Sequence, residues 1–470
     1  MTKLPYEKHT LSNGLRLILV PMEGVNSVAT AVMVGVGSRY ETPAINGVSH
    51  FLEHMVFKGT KKYPTTEDVN IIERVGGLQN AYTDIDITNY HNKVLSTDWE
   101  LALEINKELA TKPLLEQKHI DKERDVILEE MKRYEDEPAA KVGETFHAMM
   151  YPSTSLGMRI IGERKSLLAS KGETLRGYHD KWYTPEKMVV ILAGNLQSNT
   201  TNKQILPISN TTNEIRERVE EWFGDHSLSS SGLTRGSSSK KRLDSRLRGN
   251  DINGSGNDIS SSLGFVSVID QQDKPKLEVV TKPDAQQAHL NLGLRTFARA
   301  SEDRFAWSIL NMIMGVGFTS RLFKEIREKR GLCYSIRSSS DSWADVGYWS
   351  IYAGVATEKV EEATKAILGE LGKAAEKGVS EEEVAVSKKR IKTVLAFKSE
   401  DPEFFTEFYG RQELYGMPIL TIEDYIKKID KVTKDDIDRL LGQYVITKTL
   451  NMALVASRVD ESRLSPLLRI

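Results

Sequence analysis

Cysteine is almost absent: the 470 residues contain one, Cys333. No intrachain disulfide can form, so the fold must be held by its core, and a reducing compartment suits it. An excess of either charge is missing as well. Lys and Arg total 64 and Asp and Glu 66, for a formal net charge of -2. That balance offers no global attraction for nucleic acid or an anionic membrane. Long apolar runs are missing too. The longest, SVATAVMVGVG over 27–37, is too short to span a bilayer. The opening MTKLPYEKHTLSNGLRLILV has no signal-peptide apolar region and no Arg- and Ser-rich transit character, so the expected location is the cytoplasm. What remains is ordinary soluble composition, 39% hydrophobic and 28% charged, at a length that predicts two or more domains.

Local patterning supplies the elements. Asn13-Gly14 between YEKHTL and LRLILVPM predicts a hairpin. A strand over SVATAVMVGVGSRYE precedes an amphipathic helix at about 47–57 and another at about 65–75, which Gly76-Gly77 ends. LQNAYTDIDITNYHNKVL alternates as strands do, helices dominate about 97–181, and VVILAGN reads as a buried strand. The second half begins near Leu277. It carries strands at HLNLGLRTF and SIRSSSDSWADVGYWSIYAGV, helices at about 301–314 and 319–329, a helical block over about 357–443, and a closing strand TLNMALVAS.

The halves repeat one order of elements. RYEDEPAAKVGETFHAMMY and AFKSEDPEFFTEFYGRQELY each set an acidic-Pro element before a Phe-bearing helix, and each half closes on an apolar strand. The pattern predicts an α+β fold of two duplicated domains, 1–224 and 265–470, joined by an insert at 225–264. Residues 227–263 are rich in Ser, Gly, Asn and Asp and cannot bury enough surface to offset their ordering entropy. A disordered linker is expected there, ahead of a role for its Lys/Arg cluster in binding acidic partners. NEIRERVEEWFG before it reads as a helix with Ile215, Val219, Trp222 and Phe223 on one face.

The chemistry lies in His50-Phe51-Leu52-Glu53-His54, an H-x-x-E-H sequence. On a helix, positions i and i+4 share a face, so both imidazoles can reach one metal, with Glu53 beside them as candidate base. A catalytic zinc takes three protein ligands and keeps a position for water. The third ligand is sought in HIDKERDVILEEMKRYEDE, a helical segment with Val126, Ile127 and Met131 as core positions. Glu130 and Glu123 lie two turns apart on one face, as ligand and ring-orienting acceptor. Spacing alone favours two solvated surface glutamates.

SHFLEHMVFKGTKKYP, GGLQNAYTDIDITNYH, ERDVILEEM, YTPEKMVVILAGN and SRLFKEIREKRGLCYSI together resemble the pitrilysin-type inverted-zincin metallopeptidases. Within them the likeness runs to mitochondrial processing peptidase β subunits and their bacterial homologues. It covers nearly the whole chain except about 199–264. The resemblance implies one Zn2+ per chain, with His50, His54 and Glu130 as ligands, Glu53 as general base and Glu123 as support. It further implies that Arg327 and Tyr334 close onto the site from the other domain, and that Gln79, Asn80, Ala81 and Tyr82 form an edge strand pairing with substrate. The implied fold is a clamshell of two halves around a chamber. Asp86 departs from the family, where Glu is commoner, and little effect is expected.

The implied activity is a zinc endopeptidase acting on extended peptides or unfolded segments, as a homodimer or paired with a related subunit. A non-catalytic peptide-binding or scaffolding subunit is the competing class. Relatives of that kind lack part of the zinc motif, which this chain keeps. His91 and His119 read as non-ligands, Cys333 as a small buried hydrophobe, and Gly315-Val316-Gly317 as a helix-ending turn.

Overall fold

A computed structural model describes residues 6–196, 208–224, 265–268 and 272–470. The proposed linker over 227–263 lies outside them. In the first half, six strands form one mixed sheet: β1 (Glu7–Thr10), β2 (Arg16–Pro21), β3 (Ser27–Val34), β4 (Leu78–Thr83), β5 (Thr88–Leu95) and β6 (Met188–Gly194). Their spatial order is β1-β2-β6-β3-β5-β4. In the second half, β7 (Lys276–Thr281), β8 (Ala288–Thr296), β9 (Cys333–Ser342), β10 (Gly347–Val355) and β11 (Asn451–Ala456) form a sheet in the order β7-β11-β8-β10-β9.

The two orders are the same pattern once β1 is set aside. β2 runs parallel to β6 as β7 runs parallel to β11, and every other neighbouring pair is antiparallel. The duplicated α+β architecture is therefore present strand for strand. In both sheets the edge strand next to the last hairpin, β4 or β9, has one open side.

The two segments that resemble each other in sequence become two exchanged helices, Pro138–Met150 and Pro402–Leu414, each with proline in its first turn. Pro402–Leu414 lies on the first-half sheet, where Phe405 and Tyr409 pack with Ile18, Val20, Met33, Val189 and Ile191. Pro138–Met150 lies on the second-half sheet, where Val142, Phe146 and Met150 pack with Ala453, Val455 and Trp343. Each half's own helices cover the opposite face of its sheet. Both faces of both sheets are thus apolar, which is why β6 (MVVILAG) and β11 (NMALVA) are buried at every position rather than alternating. One face of each sheet is thus covered by a helix from the opposite half.

A buried ionic clasp adds to this packing. Arg39 is 1% exposed and donates to Asp345 Oδ2 at 2.8 Å, across the two halves. Its guanidinium lies 3.8 Å over the Phe265 ring and 3.9 Å from Asp86 Oδ1. Asp86 also accepts the Ala344 N–H at 3.3 Å, and burial pushes its carboxyl up to about 6. Asp86 is thus part of the seam between the halves.

Three local expectations shift. The helix expected over 65–75 is two short pieces, Thr66–Val69 and Ile71–Arg74, broken at Asn70. The segment expected as a helix at 319–329 widens into a π-helical turn, Phe323–Lys329. Val126 is 51% exposed, and Leu128 is buried beside Ile127 and Met131 instead.

Because Phe405 is fully buried between the halves, Phe405→Ala should lower unfolding free energy by about 3–5 kcal/mol in urea titrations. A loss below about 1 kcal/mol would show that the exchanged helix is not part of the cooperative core.

Candidate metal centre

The helix Val48–Val56 follows Gly47, whose φ of +92° is a left-handed conformation natural to glycine. A side chain there would also sit 2.7 Å from the Ile161 carbonyl oxygen. Phe51, Leu52, Met55 and Val56 are buried against the first-half core. That leaves His50, Glu53 and His54 on the face toward helix Gln117–Asp136 and strand β4, with which this helix packs.

Four residues fix the helix and its ligands from outside. Glu41 is buried, and its carboxylate accepts the backbone N–H groups of Gly47 at 2.7 Å and Ser49 at 2.8 Å. It also accepts the Asn46 side-chain amide at 2.9 Å. These bonds satisfy donors that every helix start leaves open. Burial pushes Glu41 up to about 7, against the pull of those donors. At the other end, Glu123 Oε1 accepts from His54 Nδ1 at 2.9 Å, which leaves Nε2 of that ring free to bind a metal. Glu123 Oε2 lies 2.7 Å from Lys58 Nζ. Burial would raise the Glu123 carboxyl, but the bonds from His54 and Lys58 outweigh it and hold it below its usual range.

The glutamate seven residues on completes the group. Glu130 Oε2 stands 3.5 Å from His54 Nε2 and 3.8 Å from His50 Nε2. The ligand atoms of His50, His54 and Glu130 all lie within 4.8 Å of one another, the one such metal-competent group among the described residues. A tetrahedral zinc with bonds of about 2.1 Å sets its ligands roughly 3.4 Å apart, so two imidazoles and one carboxylate at these distances fit that ion. Burial, and then the neighbouring His54, pushes His50 down to about 3, toward the neutral form a metal needs.

Glu53 adjoins this group. Burial raises its carboxyl above the ordinary value, against the opposing pull of Thr83 and His54. Its Oε2 is buried and accepts no hydrogen bond among the described residues. A carboxylate so placed can take a proton from a water beside the metal position.

The remaining candidates divide. Gln79, Asn80, Ala81 and Tyr82 all lie on the edge strand β4. The side chain of Tyr82 is bonded to Glu407 at 2.6 Å and Arg411 at 3.0 Å. Arg327 lies on the π-helical turn, 4.8 Å over the Phe323 ring, and Tyr334 is 66% exposed at the start of the edge strand β9. Their described contacts lie within the second half. His91 pairs with Glu403 at 3.3 Å and His119 lies 3.5 Å from Glu116. Sequence reasoning missed Glu41 and Lys58. Glu41 acts through bonds to the helix start a few residues on, and Lys58, one turn beyond the motif, through a bond to Glu123 on another helix.

Glu41→Ala strands two buried N–H groups and an amide, so it should cost about 2–4 kcal/mol in chemical unfolding of the metal-free protein. A cost below about 0.5 kcal/mol would remove Glu41 as the anchor of this helix.

Among known proteins, residues 17–164 match the family described as "Insulinase (Peptidase family M16)", and residues 251–391 match "Peptidase M16 inactive domain". An uncharacterized zinc protease of Mycobacterium leprae is 32% identical over 98% of this chain and 94% of its own length. One from Streptomyces coelicolor is 30% identical over 96% of this chain and 90% of its own length. A protease structure from Helicobacter pylori superposes with a TM-score of 0.82 at 22% identity, covering 97% of this chain and 100% of that one, which speaks for the shared fold. With the H-x-x-E-H helix, the distal glutamate and the duplicated halves all in place, the chain belongs to peptidase family M16.

Proposed function

We propose that this protein is a zinc-dependent endopeptidase that cleaves extended peptides or unfolded protein segments. The observation that carries the reading is the convergence of His50, His54 and Glu130 within 4.8 Å, with a buried carboxylate, Glu53, beside them. The open side of β4 supports the substrate class, because an unpaired strand edge binds a peptide main chain with little demand on its sequence.

When bound, zinc supplies Lewis acidity, polarising a carbonyl and making water a stronger acid. Glu53 takes the proton from the attacking water and returns it to the leaving amine nitrogen. Glu123 holds the His54 ring so that Nε2 faces the metal position, and Lys58 keeps that carboxylate anionic. Backbone groups of Gln79, Asn80, Ala81 and Tyr82 align the peptide. Arg327 and Tyr334 are the groups assigned to hold substrate and to donate to the developing oxyanion.

The exchanged helices leave the two halves little freedom to close on each other. A second copy, or a related subunit, is therefore the partner we assign to complete the chamber and present Arg327 and Tyr334. On this reading the chain would act in the manner of the processing-peptidase β subunits that its motifs resemble. No described helix is long and apolar enough to cross a membrane, and cytoplasmic action on soluble peptides is our reading. The non-catalytic alternative is disfavoured by the presence of all three ligands and the base.

Three measurements decide these points. Glu53→Gln should retain zinc and lose about 10²–10⁴-fold in peptide turnover, and undiminished cleavage would reject the assigned base. Glu123→Gln should weaken zinc binding by about 10–100-fold and Glu130→Gln by more, read by competition with a chromogenic chelator; equal losses would merge their roles. Mixing inactive Glu53→Gln and Tyr334→Phe chains should restore turnover if the site is completed between subunits, and persistent inactivity would place completion within one chain.

A further inference from the structure

The helix Pro402–Leu414 does more than cover the first-half sheet. Its polar face runs along the β4–β5 hairpin as a ladder of side-chain bonds. Asp401, which caps the helix by accepting the Glu403 N–H at 3.0 Å, also meets Lys93 at 2.8 Å. Glu403 meets His91 at 3.3 Å. Glu407 Oε1 accepts from both Asn89 Nδ2 at 2.8 Å and Tyr82 Oη at 2.6 Å. Arg411 donates to Tyr82 Oη at 3.0 Å, to Glu407 Oε2 at 2.8 Å and to Asp84 Oδ2 at 3.2 Å.

The spacing explains why the ladder closes. Four helical residues advance about 6 Å, and two strand residues about 6.7 Å. Positions 403, 407 and 411 therefore keep step with 91 and 89 on β5 and with Tyr82 and Asp84 at the end of β4. Tyr82 stands at the decisive rung. Among the described residues it is the one β4 side chain bonded to this helix, and β4 packs on the helix that carries Glu53. An edge strand has a partner on one side only, so a second anchor limits how far it can shift or fray.

We infer that the second half sets the geometry of the substrate strand, with Glu407 and Arg411 as positioning residues that act through Tyr82. The inference rests on the proposal that β4 binds the peptide. It gives the half matched to an inactive domain a part in catalysis from within the same chain, through a helix that begins after that match ends.

The test compares Tyr82→Phe, Glu407→Gln and the double variant in the full-length zinc-loaded protein. The probe is one extended peptide cleaved by the parent. Each single variant should raise KM about ten-fold, the size of one charge-assisted hydrogen bond, with kcat and zinc stoichiometry within about two-fold of the parent. The double variant should fall short of the summed single losses, because both variants remove the Tyr82–Glu407 bond. Amide exchange over 78–83 should quicken in all three while the melting transition stays in place. Unchanged KM, fully additive losses or unchanged exchange would each overturn the inference. Tyr82→Phe deletes only a hydroxyl and is the variant least exposed to misfolding. The exchange measurement needs no turnover, so it decides the inference even if the protein cleaves nothing. Normal KM in variants of an active enzyme would sink the inference and leave the peptidase reading standing.

Discussion

The structure depends on the reciprocal burial of two helices. Pro138–Met150 leaves the first half to cover the second-half sheet, and Pro402–Leu414 returns the exchange. Without it, each sheet would expose an apolar face, including Ile18, Met33 and Ile191 in the first half and Ala453 and Val455 in the second. The exchange makes the halves one body. It also makes each half a structural requirement of the other, although only one carries the metal-ligating motif.

That constraint reaches the candidate site by two routes. On one face of the first-half sheet, the H-x-x-E-H helix is anchored at its start by Glu41 and supported through His54 by Glu123 and Lys58. On the other face, the exchanged helix grips the hairpin whose strand β4 packs on the H-x-x-E-H helix. Glu53 and the three residues that could hold a metal thus sit between the first-half helices and a strand bonded to the exchanged helix. This suits chemistry that needs side chains held to within a fraction of an ångström.

The second half repeats the fold but not the chemistry. Where the first half sets the H-x-x-E-H helix between β3 and β4, the second sets helix Asp303–Gly315 and the π-helical turn Phe323–Lys329 between β8 and β9. No paired histidines occur there. A wide turn bearing Arg327 and an exposed tyrosine at the next strand face outward instead. Duplication has supplied two edge strands and two helix platforms, and divergence has given them different tasks.

Much of this was legible in the chain. Strands announce themselves by apolar runs and turn residues, as β2, β6 and β11 do, because burial and backbone pairing act on consecutive residues. The histidine pair and its glutamate are legible for the same reason: four residues on a helix make one face. Glu130 and Glu123 could be placed on a common helix, but only resemblance chose them over surface glutamates. The tertiary structure decided the rest. Which helix covers which sheet cannot be read from periodicity, since an amphipathic stripe states that a face is buried and not against what. Glu41, Lys58, Asp86, Glu407 and Arg411 look like ordinary surface charges in sequence. Glu41 gains its role from the helix start a few residues on and the others from partners on distant segments, and such bonds exist only after the chain has folded.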